Sequence, residues 1–325
     1  MIKTAIVGAS GYTGLELIKI LLNHPHFEIT SLFGSEGGER IEDIYPSLKS
    51  VFEKEIQKAD IEKIASHDLV FLAVPHKTAM ALVKELYGKI KIVDFSADYR
   101  LHQKNYEDYY CPHIDPVNLE NSAYGLPEIF REYIKKSSLI ANPGCYPTAS
   151  ILALYPFLEY VEDGVFIDAK SGVSGAGKKL SSTTHFVKDN ENFFAYNPVK
   201  HRHSIEIKEK TGLNVTFVPQ LLPITRGMQV SVYAKLKKDI DPIDVLKKAY
   251  QKEKFIRISE KPVEIKNVAG THFCDIFAAR NGDMLFINSV IDNLLRGASS
   301  QAVANANLMF GFDESLALPK IAYVP

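Results

Sequence analysis

The N-terminal segment of the chain places a glycine-rich turn between a strand-like run and a helix-like run. The strand-like run is Lys3–Val7 and the helix-like run is Thr13–Asn23, in which one face is formed by Leu15, Ile18, Leu21 and Leu22. The turn between them reads Gly8-Ala9-Ser10-Gly11-Tyr12-Thr13-Gly14, with the spacing G-x-x-G-x-x-G. A strand that leads through closely spaced glycines into a helix is typical of the first unit of a doubly wound α/β domain.

The remainder of the first half continues this alternation of strands and helices. Further strand-like runs lie at Glu28–Phe33, Leu69–Val74, Ile90–Phe95 and Ser138–Ala141. Such alternation predicts βαβ units, and therefore a Rossmann-type doubly wound parallel sheet. The stretch Tyr99–Asn121, rich in Tyr, His, Asp and Pro, is predicted as an extended excursion over the sheet edge.

The second half has a different pattern, in which strands dominate. Predicted strands are Val165–Ala169, Met228–Leu236 and Met284–Ile291, and predicted helices are Asp241–Lys252 and Leu295–Phe310. We therefore expect a second α/β domain with a mixed or antiparallel sheet. The predicted boundaries are 1–144 with 300–325 for a dinucleotide-binding domain, and 145–299 for a catalytic, substrate and oligomerisation domain.

Composition excludes several classes of protein. The chain has 325 residues and a formal net charge of -1, which provides no long-range field to attract nucleic acid or an anionic membrane. Its three cysteines are widely spaced, which argues against a disulfide framework or a metal site. With no apolar run of membrane-spanning length and no signal-like segment, the sequence predicts a cytoplasmic enzyme without metal.

One cysteine, Cys145, lies between a predicted strand and a predicted helix, in the segment Ala141-Asn142-Pro143-Gly144-Cys145-Tyr146-Pro147-Thr148. The following helix is predicted to run from Thr148 to Leu158. A thiol at a helix N-terminus is exposed to the positive end of the helix dipole, which favours the reactive thiolate. Cys145 is therefore the candidate nucleophile; by residue type alone, a buried structural cysteine is the commoner alternative.

The glycine-rich turn predicts a dinucleotide site, because glycines allow a pyrophosphate to approach the backbone N–H groups. An acidic residue at the end of the second strand would favour NAD, but this strand ends in Leu32-Phe33-Gly34-Ser35. Ser35 and Arg40 can receive the 2′-phosphate of NADP, which favours NADP(H). Glu36 weakens that argument, and Arg40 can equally be a solvated side chain.

Three further motifs carry groups suited to acyl chemistry. His201-Arg202-His203 offers proton donors and acceptors near neutrality, although an exposed basic turn is an equal alternative. Arg100 ends Phe95-Ser96-Ala97-Asp98-Tyr99-Arg100 at the carboxyl edge of the predicted sheet and can bind an anion, unless it is a surface arginine paired with Asp98. Ser171-Gly172-Val173-Ser174-Gly175-Ala176-Gly177-Lys178 lacks the Walker spacing and is predicted to shape backbone around a ligand.

Taken in order, these motifs, together with Ile291-Asp292-Asn293-Leu294, resemble the N-acetyl-gamma-glutamyl-phosphate reductase family of arginine biosynthesis, within the aspartate-semialdehyde dehydrogenase-like superfamily. The resemblance spans nearly the whole chain. It implies a small-molecule acyl-phosphate substrate, N-acetylglutamyl 5-phosphate, which the cysteine converts into a thioester that NADPH reduces to the semialdehyde. The apolar alternating strands of the second domain can pair across a dimer interface, so we expect a homo-oligomer, a dimer or tetramer.

The resemblance implies a role for each site residue. Cys145 attacks the substrate, His203 is favoured over His201 as the acid/base, and the sequence alone does not separate the two histidines. The implied substrate-binding residues are Arg100, Ser96 and Asn142. The implied cofactor-binding residues are Gly8, Ser10, Gly11, Tyr12, Thr13, Gly14, Ser35, Arg40, Ser174, Gly175, Gly177 and Asn293.

Two departures from the family pattern and three rival functions remain at this point. Family members commonly carry Ser-Arg after the second strand, where this chain has Gly34-Ser35-Glu36-Gly37-Gly38-Glu39-Arg40, and Tyr196-Asn197-Pro198-Val199-Lys200 replaces a glycine-containing stretch. The rivals are a homologue acting on the longer aminoadipate chain in lysine biosynthesis, an aspartate-semialdehyde dehydrogenase, and a non-catalytic NADP-sensing regulator. Retention of Cys145 with both histidines argues against the regulator, which needs neither.

Overall fold

A computed structural model describes residues 1–323 of the chain. In these residues the strands are β1 (Ile2–Val7), β2 (Phe27–Gly34), β3 (Ile56–Lys58), β4 (Leu69–Leu72), β5 (Lys91–Asp94), β6 (Ala123–Tyr124), β7 (Leu139–Ala141), β8 (Val165–Gly172), β9 (Phe194–Ala195), β10 (Val215–Leu222), β11 (Met228–Lys235), β12 (Ile256–Ile258), β13 (Cys274–Asn281) and β14 (Met284–Ile291).

The helices follow the same chain order. They are α1 (Tyr12–Leu21), α2 (Ile41–Ile44), α3 (Ile61–Ala65), α4 (Ala79–Leu86), α5 (Gln103–Tyr109), α6 (Pro116–Glu120), α7 (Pro127–Lys136), α8 (Cys145–Leu154), α9 (Phe186–Asp189), α10 (His203–Thr211), α11 (Pro242–Tyr250) and α12 (Ser300–Met309). Within the described part of the chain, no helix combines the length and the hydropathy needed to cross a membrane.

The chain divides into two compact units. The first unit comprises Met1–Pro143 and Ala298–Leu318, and the second comprises Gly144–Gly297 and the described residues from Pro319 onward. Each unit is built on one seven-stranded sheet. The expectation of two α/β domains, one with a parallel sheet and one with a mixed sheet, is confirmed.

The sheet of the first unit is parallel throughout, in the order β3-β2-β1-β4-β5-β7-β6. Its central strands read as continuous apolar runs because helices cover both faces, and all four residues of β4 are buried. From β1 the chain first adds strands β2 and β3 on one side of the sheet and then crosses to β4 on the other side, so its direction of winding reverses at β1. In open sheets of this kind, ligands bind at the carboxyl ends of the strands near such a reversal.

The sheet of the second unit is mixed, in the order β12-β13-β14-β11-β8-β10-β9. Parallel pairs join β10 to β8 and β12 to β13, and the other pairs are antiparallel. Helix α8 packs on β11 and β14, and α10 packs on α8. Because residues 146–154 are all buried, α8 is enclosed on every side and forms the centre of this unit.

The largest differences from the sequence expectations lie in the stretch Tyr99–Asn121 and in the helix that follows Cys145. The stretch Tyr99–Asn121 is not extended but contains the short helices α5 and α6, which are tied down by buried polar contacts such as Tyr99 Oη to Asp115 Oδ2 (2.7 Å). The helix predicted from Thr148 begins at Cys145. It ends at Leu154, before the predicted Leu158. Pro147 lies in the first helical turn, where proline is tolerated because an N–H there has no helical partner.

Candidate active site

The glycine-rich turn of the first unit lies at the carboxyl end of β1. Gly8 has φ +88°, and a Cβ there would lie 2.2 Å from the carbonyl oxygen of Ala73, just past β4. A Cβ at Gly14 would lie 2.5 Å from the Ala9 oxygen, so the first turn of α1 packs closely against the backbone of the glycine-rich turn. Gly11 is the N-cap of α1 and provides no side-chain cap, and the first turn carries no acidic residue. The N–H groups of this turn therefore suit an anion.

The predicted 2′-phosphate residues follow the second strand at the same edge. Ser35 comes directly after β2 and is exposed, as is Arg40. The Arg40 Nε donates to the carboxylate of Glu42, which holds one side of the guanidinium. A guanidinium has five N–H donors, so this contact occupies only part of its capacity.

Arg100 is buried, so it is not the surface arginine that the sequence analysis left open as an alternative. Its Nε donates to the carbonyl of Asn142 (2.8 Å) and an Nη donates to the carbonyl of Phe95 (2.6 Å). The Asp98 carboxylate accepts from the N–H of Lys77 (2.8 Å) and from the hydroxyl of Tyr106 (2.8 Å). The guanidinium is thus held by backbone at the carboxyl ends of β5 and β7.

Ser96 and Asn142, both predicted to bind substrate, have side chains committed to the protein. The Ser96 hydroxyl donates to Asp94 (2.7 Å) and accepts from the N–H of Asp98 (3.0 Å). The Asn142 amide donates to the carbonyl of Ala298 (3.1 Å) and accepts from Asn305 (3.0 Å). In these positions the two side chains support the turn that carries Arg100.

Cys145 is the first residue of α8, in the second unit. The N–H of its N-cap, Gly144, donates to the carboxylate of Glu206 (3.1 Å), and the Gly144 carbonyl accepts from the N–H and the hydroxyl of Thr148 (2.9 and 3.0 Å). Glu206 lies in the first turn of α10, one turn after His203. The two helices that begin at Cys145 and His203 are therefore joined at their N-termini by one hydrogen bond.

Both histidines lie around the aromatic ring that follows the cysteine. The Tyr146 ring meets His201 and His203 edge-on, with centroids 5.9 and 5.8 Å away, and the two imidazoles are 4.8 Å apart. Tyr146 is anchored by its hydroxyl to the carbonyl of Gln220 (3.2 Å), and Tyr196 donates to the Tyr146 hydroxyl (3.2 Å). Burial raises the pKa of both phenols, so both stay protonated at neutral pH.

The two histidines differ in their surroundings. The His201 Nδ1 accepts the backbone N–H of His203 (3.2 Å), which places the proton of the neutral ring on Nε2. Burial, helped by the charge of Arg202, lowers the pKa of His201 to about 4. His201 is therefore a neutral hydrogen-bond donor at pH 7.

The glycine-rich loop of the second unit is held by Asn293. The Asn293 amide accepts from the N–H of Gly227 (2.7 Å) and donates to the hydroxyl of Ser174 (3.0 Å). A Cβ at Gly175 would lie 3.0 Å from the Ser171 hydroxyl, and Gly177 ends the turn at φ +82°. Ser174, Gly175 and Asn293 thus lie together.

Sequence reasoning missed three residues at this site. In the sequence Tyr146 is only part of a motif and Glu206 only part of an amphipathic run. In the structure Tyr146 contacts both histidines, and Glu206 accepts the N–H of Gly144. Gly297 was not noticed, although its Cα lies against Cys145. The spacing from His203 to Glu206 was the available signal, because residues three apart share a face once the segment is known to be a helix.

The segment before His201 has a strained backbone. Val199 has φ +56° and Asn197 has φ +46°, both in the left-handed region. Asparagine is tolerated there, but a β-branched residue is disfavoured. Val199 is held in place by the hydrogen bond from its N–H to the carbonyl of Phe217 (2.9 Å).

Replacement Val199→Gly is expected to stabilise the protein by about 1 kcal/mol. Relief of the strained φ contributes about 1–3 kcal/mol, and the greater freedom of glycine in the unfolded chain offsets about 0.5–1 kcal/mol. Thermal unfolding should show a Tm higher by a few degrees. The control is Val187→Gly, at an exposed valine of α9 that does not have positive φ, and it should lower Tm. A lower Tm for both variants would contradict the strain.

Comparison with known protein families matches both units. The family described as "Semialdehyde dehydrogenase, NAD binding domain" matches residues 3–137, and "Semialdehyde dehydrogenase, dimerisation domain" matches residues 145–293. The N-acetyl-gamma-glutamyl-phosphate reductase of Sulfurovum sp. is 57% identical, covering 100% of each chain. The enzyme of that name from Sulfurimonas denitrificans is 54% identical, covering 100% of this chain and 99% of the relative.

Solved structures share the fold at much lower identity. Aspartate semialdehyde dehydrogenase II from Vibrio cholerae, complexed with ASA, superposes with a TM-score of 0.71 at 15% identity, covering 95% of this chain and 98% of that one. Aspartate semialdehyde dehydrogenase from Candida albicans, with NADP, has a TM-score of 0.72 at 15% identity and the same coverage. These similarities show that the two solved structures share the fold of this chain over nearly its whole length.

Proposed function

Since the chain belongs to the N-acetyl-gamma-glutamyl-phosphate reductase family of the semialdehyde dehydrogenases, we propose that Cys145 and His203 carry out the reaction of that family on an acyl phosphate. The protein is an oxidoreductase of arginine biosynthesis, which reduces N-acetyl-L-glutamyl 5-phosphate to N-acetyl-L-glutamate 5-semialdehyde and phosphate. The observation that carries the residue assignment is the pairing of Cys145 and His203 as the first residues of two helices packed together.

Cys145 acts as the nucleophile. Its thiolate, favoured at the N-terminus of α8, attacks the acyl carbon of the substrate and forms a C–S bond. The C–O bond to the phosphate then breaks, and phosphate leaves with the electron pair. Arg100, held at the carboxyl edge of the first unit's sheet, is suited to neutralise the charge of a phosphate, and its N–H groups can bind two oxygens.

His203 transfers the proton in the second half of the reaction. Reduction of the thioester carbon creates an oxyanion, which His203 protonates to give a thiohemiacetal. His203 then takes the hydroxyl proton back while the C–S bond breaks, releasing the aldehyde and the Cys145 thiolate. His201, neutral with its proton on Nε2, serves as a hydrogen-bond donor to the substrate.

The hydride comes from a reduced nicotinamide cofactor, and the chain's own residues fit one. The turn at Gly8 and Gly14 leaves no room for a Cβ, and the N–H groups of α1 are suited to a pyrophosphate. Ser10, Tyr12 and Thr13 complete this turn, and Ser174, Gly175, Gly177 and Asn293 form the loop that would border the nicotinamide. The pairing of Asn293 with Ser174 supports that role.

We assign the cofactor as NADP(H) in preference to NAD(H). The second strand ends at Gly34, and Ser35 follows it in place of the acidic residue that binds an NAD ribose, with Arg40 a few residues further along the chain. The Candida albicans structure of the same fold was solved with NADP.

The function is tested in the reverse direction with purified protein, N-acetylglutamate semialdehyde, phosphate and either NADP or NAD. Formation of NADPH is expected, with kcat/KM for NADP at least tenfold above that for NAD. Equal use of NAD would overturn the cofactor assignment alone. Turnover of the aminoadipate homologue without turnover of the glutamate aldehyde would overturn the substrate assignment, and no turnover of either would indicate a regulator.

We further propose a homo-oligomer that forms through the open face of the second sheet. Phe166, Tyr233 and Phe286 lie side by side across β8, β11 and β14, and the first two are 59% and 42% exposed. An exposed row of aromatic residues is typical of an interface, and the matching family is described as a dimerisation domain. Sedimentation of the purified chain tests this, with a dimer or tetramer expected and a monomer contradicting it.

The compartment proposed for this enzyme is the cytoplasm. All three cysteines, Cys111, Cys145 and Cys274, are free thiols, as a reducing compartment would keep them.

A further inference from the structure

A turn just before the last helix brings backbone directly against the proposed nucleophile. Residues Leu295–Ser299 form a turn of π-helix. Such turns are rare in proteins overall, and those that occur are often at functional sites. At Gly297, a Cβ would lie 2.6 Å from the Cβ of Cys145 and 3.1 Å from its Cα. Carbon atoms that are not bonded pack about 3.5–4.0 Å apart, so no side chain fits between these two residues.

The backbone at Gly297 has little freedom to withdraw. Its N–H donates to the carbonyl of Asp292 (2.9 Å). The Asp292 carboxylate is fully buried and accepts the N–H groups of Leu294 (2.9 Å), Leu295 (3.0 Å) and Gly270 (2.7 Å). Four hydrogen bonds to one buried residue therefore fix the start of this turn.

The cysteine side of the contact is equally constrained. Gly144, directly before Cys145, is bound to Glu206 and Thr148, and the rest of α8 is buried. A protein interior packed at this density transmits a displacement instead of absorbing it. An added methyl group at Gly297 would thus move Cys145 itself.

We infer that Gly297 is a positioning residue for Cys145: its missing side chain sets where the thiol lies and which rotamer it adopts. This inference rests on the proposed function only for its effect on turnover. The contact itself is independent of the reaction. The position requires glycine because of space, as Gly297 does not have positive φ.

The first test is the variant Gly297→Ala. We expect kcat to fall about 10- to 100-fold, since a shift of about 1 Å in a reacting atom costs on that order, while KM for the cofactor stays within twofold. The rate of Cys145 alkylation by iodoacetamide should change at least threefold. The control is Gly282→Ala in the β13–β14 turn, where a Cβ meets no atom within 4 Å and only φ +61° is strained. Wild-type kcat and alkylation in Gly297→Ala would overturn the inference.

A double-mutant cycle isolates the contact from general destabilisation. Gly297→Ala is expected to lower Tm by several degrees in the native chain, and by less than half as much in a Cys145→Gly background, which lacks the Cβ that the methyl group meets. An equal loss in both backgrounds would contradict the contact. If Gly297→Ala does not fold alone, folding of the double variant supports the inference, and its failure overturns it. Because this cycle needs no substrate, it decides the contact even if the proposed function fails.

Discussion

Replacement of Cys145 by serine is expected to lower turnover by at least about 10³-fold while leaving NADPH binding unchanged. A serine hydroxyl at this position is almost entirely protonated at neutral pH, and an oxygen ester is a poorer hydride acceptor than a thioester. Serine differs from cysteine only by an oxygen in place of the sulfur, and the substitution leaves the glycine-rich turn after β1 and the loop at Ser174 unchanged, so we expect the affinity for NADPH to stay the same. Steady-state kinetics and a fluorescence titration with NADPH measure the two quantities.

The matched control is Cys111→Ser. Cys111 is also a free, partly exposed cysteine, but its Sγ lies 3.8 Å from the Tyr106 hydroxyl in the first unit. That variant should keep turnover within twofold. Near-normal activity of Cys145→Ser would show that this residue does not take part in the chemistry. In a separate experiment, rapid loss of activity when the Cys111→Ser variant is alkylated would indicate that the reactive thiol is Cys145.

Replacement of His203 by asparagine is expected to lower kcat by about 10²- to 10⁴-fold, the usual contribution of a positioned acid/base. His201→Asn should act mainly on KM. The reason is electrostatic: burial and Arg202 lower the pKa of His201 to about 4, so its ring does not exchange a proton with the substrate near neutrality. Asparagine retains a donor group of similar size, which limits structural damage at either position.

Separate kinetics of the two variants decide between the histidines, because the effect on kcat reports an interaction made in the transition state and the effect on KM alone reports binding. Both histidines contact the same Tyr146 ring, so each variant is a control for disturbance of the other. A larger loss of kcat for His201→Asn than for His203→Asn would reverse the assignment of the acid/base.

Much of the fold was predictable from local patterns. The strand Met284–Ile291 was predicted with its observed bounds, and β1, β2 and β7 within one residue at each end. These strands are apolar runs of high β propensity bounded by turn residues, so local preference and burial agree. Helix α8 begins three residues before the predicted Thr148 and ends at Leu154, four residues before the predicted Leu158. The pattern does not predict α5 and α6, whose surroundings include buried polar contacts between Tyr99 and Asp115 and between His113 and Asp98.

The candidate site was predictable as a set of motifs, but the division of labour within it was not. Ser96 and Asn142 belong to the motifs around Arg100 and Cys145, yet their side chains are hydrogen-bonded to other parts of the protein. Which member of a motif faces a ligand and which one supports the backbone depends on partners that the motif does not contain.

The sequence by itself determined the family, the parallel and mixed sheets, and the candidacy of Cys145, because glycine turns, apolar periodicity and ordered motifs are local properties of the chain. Only the tertiary structure decided that Glu206 joins the helix of Cys145 to that of His203, that burial keeps His201 neutral, and that Gly297 leaves room for the cysteine. Gly297 follows Cys145 by 152 positions in the sequence. Contacts of this kind arise from packing, where burial and excluded volume act between residues that no local pattern relates.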